Sequence, residues 1–355
     1  MTSLADHDLE SLQRLLAEWG HRPGSAAALL RAYHDAGGAV DVPAAAYLPK
    51  DVRARFGADL ALFASRVLTR RQSDDGTVKL LVGLDRGGAV ECVLMPAFDP
   101  RRAAGCVSSQ VGCAMGCDFC ASTKSGLERD LAAGEIVEQF LHLRAEALRQ
   151  GRRLQTLVFM GMGEPMHNLP AVVTAIGRIT RPALGNLGPR NITVSTVGIV
   201  PGIDALRDAD LGVHLAVSLH APDDDTRARI VPTGRRHKVA EIVAATHRFA
   251  DATGRIPTIE YCLLADVNDA DAQAHCLADV LGGLRAHVNL IPYNWIGPGV
   301  SGAIYRQPSL ERMQRFIAIL RERRVVAHFR RQRGDDVNAA CGQLRETLVQ
   351  ARVAR

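Results

Sequence analysis

Hydrophobic positions recur along this chain with two different periods, and the change from one to the other divides it. Over about the first 70 residues apolar side chains fall at helical spacing: "DLESLQRLLAEWG" closes at Gly20, "SAAALLRAY" reads as a second helix and "PKDVRARFG" as a shorter third. Two apolar runs follow, "VKLLVGL" and "AVECVLMP", separated by "DRGG", which is the pattern of a β-hairpin. From about residue 105 short apolar runs alternate with helical segments. The predicted strands are "CVSSQ", "LQTLVFMG", "NITVST", "VHLAVSLH", "TIEYCLLA" and "HVNLIP"; the predicted helices cover 134–150, 169–180, 202–208, 238–253 and 269–283.

Six β–α units in succession predict a parallel sheet with right-handed crossovers. No G-x-G-x-x-G follows the first strand, so a dinucleotide-binding fold is disfavoured and an α/β partial (β/α)6 barrel is expected. The expected organisation is a helical accessory domain over 1–70, a β-hairpin connector over 71–100, the partial barrel over 101–345 and a tail over 346–355. Residues capable of chemistry gather behind the predicted strands. A three-cysteine loop follows the first and "GMGEP" the second; Ser195 ends the third, Ser218, Leu219 and His220 end the fourth, and Asn294 follows the sixth. Parallel folds build their sites at those strand ends.

Composition adds a soluble globular class, with 47% hydrophobic and 23% charged residues in 355. The opening "MTSLADHDLE" is acidic and has no apolar stretch, so it does not read as a signal peptide. No apolar run approaches the roughly 20 residues of a membrane span. The expected compartment is the cytoplasm, where clustered cysteines mean metal or catalysis more often than disulfides. Net charge is +5 but uneven: residues 306–355 hold twelve arginines against five acidic residues, an excess of +7. Such an end suits a polyanion such as nucleic acid, and a solvated helix face is the plainer alternative.

Four of the eight cysteines fall within "CVSSQVGCAMGCDFCAS". Cys113, Cys117 and Cys120 form C-x3-C-x2-C, with Cys106 seven residues upstream. A disulfide set does not suit a reducing compartment. Structural zinc usually takes four closed ligands in paired hooks, and no second hook is present, with Cys262 and Cys276 expected far away on a strand and a helix. Buried packing cysteines would not share one glycine-containing loop. An iron–sulfur cluster remains, and three thiolates leave one iron of a four-iron cluster open to a ligand. The pattern, with Phe119 before its last cysteine, resembles the radical S-adenosylmethionine (SAM) superfamily. "MGMGEP" is similar to that superfamily's site for the SAM amino group, with Glu164 as the carboxylate; alone it would be an ordinary strand-to-helix turn.

Five stretches, "CVSSQVGC", "MGMGEP", "VSLHAP", "NLIPYN" and "RGDDVNAACGQL", together resemble the RlmN/Cfr family of radical SAM RNA methyltransferases, over about residues 75–345 and closer to RlmN. That resemblance implies one [4Fe–4S] cluster on Cys113, Cys117 and Cys120, with SAM contacted by Gly163, Glu164, Ser195, Ser218, Leu219, His220 and Asn294. It also implies that Cys341 carries a methyl group as S-methylcysteine, that Cys106 resolves the protein–RNA adduct through a transient disulfide with Cys341, and that Glu91 is the base. By itself Glu91 would read as a solvent-facing strand residue and His220 as a structural histidine. Cys92, Cys262 and Cys276 read as packing residues.

The implied function is methylation of an RNA adenosine at C2, in large-subunit rRNA near the peptidyl transferase centre and in tRNA, with Arg330, Arg331 and Arg333 on RNA phosphates. A flavodoxin or ferredoxin is the implied electron donor, and the chain is expected to be a monomer. Two alternatives stand beside this: a Cfr-like enzyme acting at C8, whose product confers antibiotic resistance, and a non-catalytic iron–sulfur RNA-binding protein. The chain departs from the family pattern over residues 1–70, in a longer segment between Glu91 and Cys106, and at Val197, where a small polar residue is usual.

Overall fold

The computed structural model describes residues 2–39, 41, 48–330, 334–337, 339–340 and 342–344. Cys341, Arg331 and Arg333 therefore lie outside the described residues.

The chain opens with a two-residue strand β1 (Thr2–Ser3), then helices α1 (Leu9–Glu18), α2 (Ser25–Asp35) and α3 (Lys50–Arg55), and β2 (Leu60–Ala61) pairs in parallel with β1. Asp8 caps α1 by accepting from the Ser11 N–H at 2.8 Å, which satisfies one of the free amides of the first turn. The helices bury Leu12, Leu16, Leu29, Leu30 and Tyr33 in the same core as the barrel.

Next come β3 (Ser65–Gln72), β4 (Val78–Leu84) and β5 (Ala89–Pro96), an antiparallel meander. The hairpin expected over "VKLLVGL" and "AVECVLMP" is β4 and β5. β3 carries no predictive pattern because it is an edge strand with one buried residue and an arginine-rich exposed face, a composition that protects an edge from further pairing. The first barrel strand is β6 (Arg102–Cys106), which corrects the expected "CVSSQ": Cys106 ends that strand, and Gln110 belongs to a small separate strand β7 (Gln110–Gly112). β7 pairs with β8 (Leu127–Asp130), which closes the cysteine loop at its base.

The rest alternates as read: α4 (Ala133–Arg149), β9 (Arg153–Phe159), α5 (Leu169–Thr180), β10 (Ile192–Thr196), α6 (Val200–Asp208), β11 (His214–Ser218), α7 (Asp224–Ile230), α8 (Val239–Thr253), β12 (Thr258–Leu263), α9 (Asp271–Val280) and β13 (His287–Pro292). Helix α10 (Leu310–Glu322) and a seventh strand β14 (Val326–Phe329) follow. β6, β9, β10, β11, β12, β13 and β14 pair in parallel in that order, a partial barrel of six β–α units closed by a short seventh strand. β5 pairs antiparallel with β6, so the meander extends the barrel sheet to ten strands.

Helix α4 fastens the meander to the barrel. Its Glu146 takes a two-pronged hydrogen bond from Arg70 of β3, at 3.1 and 2.7 Å. Glu138 accepts from the Ala64 amide at 2.8 Å and from the Ser65 hydroxyl. Burial outweighs those bonds and pushes the Glu138 carboxyl up to about 7. Among the described residues no helix is long and apolar enough to cross a membrane.

Candidate active site

The carboxyl ends of β9 to β14 face one open cleft. Cys113, Cys117 and Cys120 line it, together with Gly163, Glu164, Ser195, Ser218, His220 and Asn294. The expected metal and cofactor residues therefore meet in one place; Leu219 is wholly buried behind the wall.

The cysteine loop is built to turn tightly. Gly112 and Gly116 both have positive φ, and a Cβ on Gly112 would lie 2.0 Å from the Gly126 carbonyl. The Cys113 amide donates to Gly126 O (2.9 Å), and the Cys120 amide to Cys117 O (3.0 Å). Asp118, between the second and third cysteines, ties the loop outward. Its Oδ1 accepts from the Ser301 amide at 2.7 Å and its Oδ2 from the Tyr305 hydroxyl at 2.7 Å. From the other side the Asp118 amide donates to Ile230 O at the end of α7, at 2.9 Å. Burial pushes the Cys113 thiol up to about 12 and raises the Cys117 thiol well above its ordinary value. Buried thiols of this kind ionise when a metal takes the proton's place. Cys113, Cys117 and Cys120 reach the cleft as three thiols from one short loop. That arrangement fits a multi-iron cluster, whose ligands sit on separate irons, better than zinc.

Glu164 is held rigidly. Its carboxylate accepts from the Met166 amide at 3.0 Å and the Val197 amide at 2.8 Å, and its own amide donates to Gln110 Oε1 at 2.8 Å. Burial exceeds the effect of those bonds and raises the carboxyl to about 7. The Thr196 hydroxyl adds a third bond to the carboxylate, which has about four acceptor positions and so keeps capacity for an ammonium donor. Gly163 has φ +98°, and a Cβ there would stand 2.6 Å from Gln110 Cβ, so the backbone passes where no side chain fits. The Ser195 and Ser218 hydroxyls lie 3.4 Å apart on adjacent strand ends. His220, also at positive φ, accepts the Cys262 amide at Nδ1 (3.0 Å) and sets its ring edge on Phe119 at 4.7 Å between centroids. Burial, aided by the nearby Arg227 charge, drops its pKa to about 3, so the ring is neutral with its proton on Nε2. The donor set and the glycine cradle fit the cluster and SAM.

A second cavity of about 1210 Å3 adjoins the first and shares Met160, Ile291, Asn294 and Arg330 with it. Cys106 lines this cavity, paired in register with Val93 of β5 and Val158 of β9. Ala340 lines the second cavity and Gly342 the first, so the residues on either side of Cys341 border both. Glu91 is 1% exposed and bridges Lys79 at 3.0 Å, which replaces the solvent-facing reading with a buried ion pair.

Further expectations change. Cys262 is not remote from the cysteine loop: it lines the same cleft and packs with Cys113, Cys117 and Phe119. Cys92 is buried in the main core as read, and Cys276 is half-buried with its sulfur 3.9 Å from Pro222 O. Arg330 is half-buried and lines both cavities, 3.5 Å from Met160 Sδ and 3.9 Å from Glu260. Arg312, Arg315 and Arg323 bind Asp271 and Asp279 of α9, so part of the C-terminal positive excess is matched within the chain. Sequence reasoning also missed Asp118, Arg227 and Glu260. Only Glu260, a charge inside the apolar run "TIEYCLLA", carried a signal in the sequence.

The fold and cleft define a radical SAM protein, and residues 107–277 match the Radical SAM superfamily. A crystal structure of a radical SAM methyltransferase from Sphaerobacter thermophilus superposes with a TM-score of 0.92 and 44% identity, covering 97% of this chain and 99% of that one. The "Probable dual-specificity RNA methyltransferase RlmN 1" of Opitutus terrae is 52% identical over 343 residues, 97% of this chain and 96% of its own length. The RlmN protein of Rhodopirellula baltica, with the same description, is 42% identical over 353 residues, 99% of this chain and 93% of its own. The chain belongs to the RlmN family of radical SAM methyltransferases.

Proposed function

We propose that this protein methylates adenosine in RNA at C2, in large-subunit rRNA near the peptidyl transferase centre and in tRNA, through an S-methyl intermediate on Cys341. The observation that carries the reading is the pair of adjoining cavities: the three-thiol cleft with Gly342 on one side, and Cys106 with Ala340 on the other. The RNA substrate rests on the family relatives, which are described as dual-specificity RNA methyltransferases.

Adenine C2 is not nucleophilic, so direct displacement on a sulfonium methyl does not reach it. Cys113, Cys117 and Cys120 would hold the cluster, which together with SAM would supply one-electron cleavage and a hydrogen-abstracting radical. The protein's own residues do the rest. Cys341 accepts a methyl group as a thioether, and that carbon, after losing a hydrogen atom, bonds to C2. Glu91 takes the proton from the substituted C2, from a buried position where water does not compete. Once the adduct's unpaired electron has been given up to a one-electron acceptor, a role the cluster would fill, the Cys106 thiol bonds to the Cys341 sulfur as the carbon–sulfur bond breaks; the thiol proton is released and the departing carbon takes up a proton, leaving methyladenosine and a disulfide. Gly163, Glu164, Ser195, Ser218, Leu219, His220 and Asn294 orient SAM. An external flavodoxin or ferredoxin supplies the electron, and the protein works as a monomer in the cytoplasm.

The test is an asymmetry between two variants. Cys106→Ala forms the adduct but cannot resolve it, so it comes out of cells with RNA attached, seen as a ribonuclease-sensitive shift on denaturing gels. Cys341→Ala retains its iron, is inactive and carries no RNA. A Cys106→Ala protein that is free of RNA and still turns over refutes the assignment. Absence of 5′-deoxyadenosine from a cluster-loaded wild type would instead favour a non-catalytic RNA-binding protein.

A further inference from the structure

The proposed mechanism leaves one buried charge unused. Arg227 projects from α7 and is 2% exposed. Its Nε donates to Leu219 O at 3.1 Å and its Nη2 to Val197 O, so it clasps the ends of the third and fourth barrel strands. Nη1 is buried and has no hydrogen-bond partner. A buried guanidinium with an empty donor is costly, because a lost bond to a charged group is not repaid by water. Such a group needs an anion, and the carboxylate beside it, Asp224, is half-exposed and already bonded to the Val239 amide and to Lys238.

The surroundings identify the missing anion. Helix α7 is bonded to the cysteine loop through Ile230 O and the Asp118 amide, one residue from Cys117. Ile230 and Val231 pack with Cys113, Cys117 and Phe119. Arg227 precedes Ile230 by three residues on α7, so the two share the helix face turned toward the cysteine loop.

We infer that Arg227 is a positioning residue that sets the reduction potential of the cluster: its fixed positive charge stabilises the more negative, electron-loaded state. The inference rests on the proposed cluster at Cys113, Cys117 and Cys120. It assigns Arg227 no contact with RNA, and it gives the unpartnered donor a partner once the thiolates are metal-bound. A single electron enters the cluster from the external donor, and Arg227 changes only the equilibrium of that step.

The experiment is an EPR-monitored redox titration of anaerobically reconstituted holoprotein without SAM, comparing wild type, Arg227→Lys and Arg227→Gln at equal iron content. Arg227→Gln is expected to shift the reduction equilibrium at least tenfold against reduction, about 59 mV more negative for a one-electron couple, while Arg227→Lys stays near wild type. Equal potentials in all three overturn the inference, whereas a wild type that holds no cluster overturns the function reading itself. A shift that appears only after SAM is added also overturns it, because the anion would then be the SAM carboxylate. Should neither variant load iron, wild-type holoprotein labelled with guanidino-15N arginine decides: a 15N hyperfine coupling to the reduced cluster supports the inference, and its absence rejects it.

Discussion

Replacing Asp118 with alanine should free the cysteine loop from the 299–305 segment. The carboxylate accepts from the Ser301 amide, the Ser301 hydroxyl and the Tyr305 hydroxyl, and Gly299 packs against it too closely for a Cβ. A hydrogen bond to a charged acceptor contributes roughly 1.5–3 kcal/mol, and three that share the cost of burying one carboxylate give a tether of about 3 kcal/mol. At 1.4 kcal/mol per factor of ten, that raises the open-loop population roughly 100-fold. Cys117 and Cys120 ride on this loop, so the direct assay is thiol labelling of the reduced apoprotein, read residue by residue under conditions where the rate follows the open fraction. Both should label about 100-fold faster in Asp118→Ala, with Cys276 on α9 unchanged. Asp118→Asn, which keeps one acceptor oxygen, should fall between. Labelling of Cys117 and Cys120 within about twofold of wild type, with the circular dichroism retained, would refute the tether. The sign of its pH dependence also follows. Burial raises the Asp118 carboxyl, but the bonds from Ser301 and Tyr305 prevail and hold it below its ordinary value. The tether is therefore complete above the ordinary carboxyl pKa and is lost only as pH falls through the lower folded value.

Three other outcomes follow from the same geometry. Gly163→Ala places a Cβ 2.6 Å from Gln110 Cβ at φ +98°, and SAM affinity of the cluster-loaded protein, measured by calorimetry, should fall at least about tenfold. Lys79→Met removes the countercharge of buried Glu91 and should cost roughly 3–5 kcal/mol in urea unfolding, most of it recovered in Lys79→Met/Glu91→Leu. Glu138, raised to about 7 by burial, lends stability that is complete below the unfolded carboxyl pKa and declines as pH rises through 7. Against Glu138→Gln, wild type should lose as much as about 3 kcal/mol between acid and mildly alkaline pH, and parallel pH profiles would contradict this.

The parallel barrel was legible because most of its strands carry a short, largely buried apolar run between helical segments, as in "HLAVS" of β11 and "TIEYCL" of β12, whereas the first, "RAAGC", has little such signal and was placed too late. Strand β14 was not, since four residues with one buried position carry no period. β3 failed for the opposite reason: "SRVLTRRQ" is exposed along nearly its whole length, and its place comes from Arg70 on Glu146, a contact 76 residues apart. At the site, the thiols, Glu164 and the serines were readable because each sits directly behind a strand. Arg227 and Asp118 were not, because a charge inside "DDTRARI" or "GCDFC" reads as solvated until the fold closes around it. Cys262 shows the same limit: its strand was assigned correctly, but only the closing of the barrel brings that strand end to the cysteine loop.

The most direct measurement of the central claim is mass spectrometry of nucleosides after anaerobic reaction of reconstituted protein, deuteromethyl-labelled SAM and a large-subunit rRNA fragment. The account predicts 2-methyladenosine that carries two deuterons on its new carbon, because one is lost from the Cys341 methyl before that carbon joins the base. Three retained deuterons would contradict passage through a methylene on Cys341, and label at C8 would contradict the assigned position.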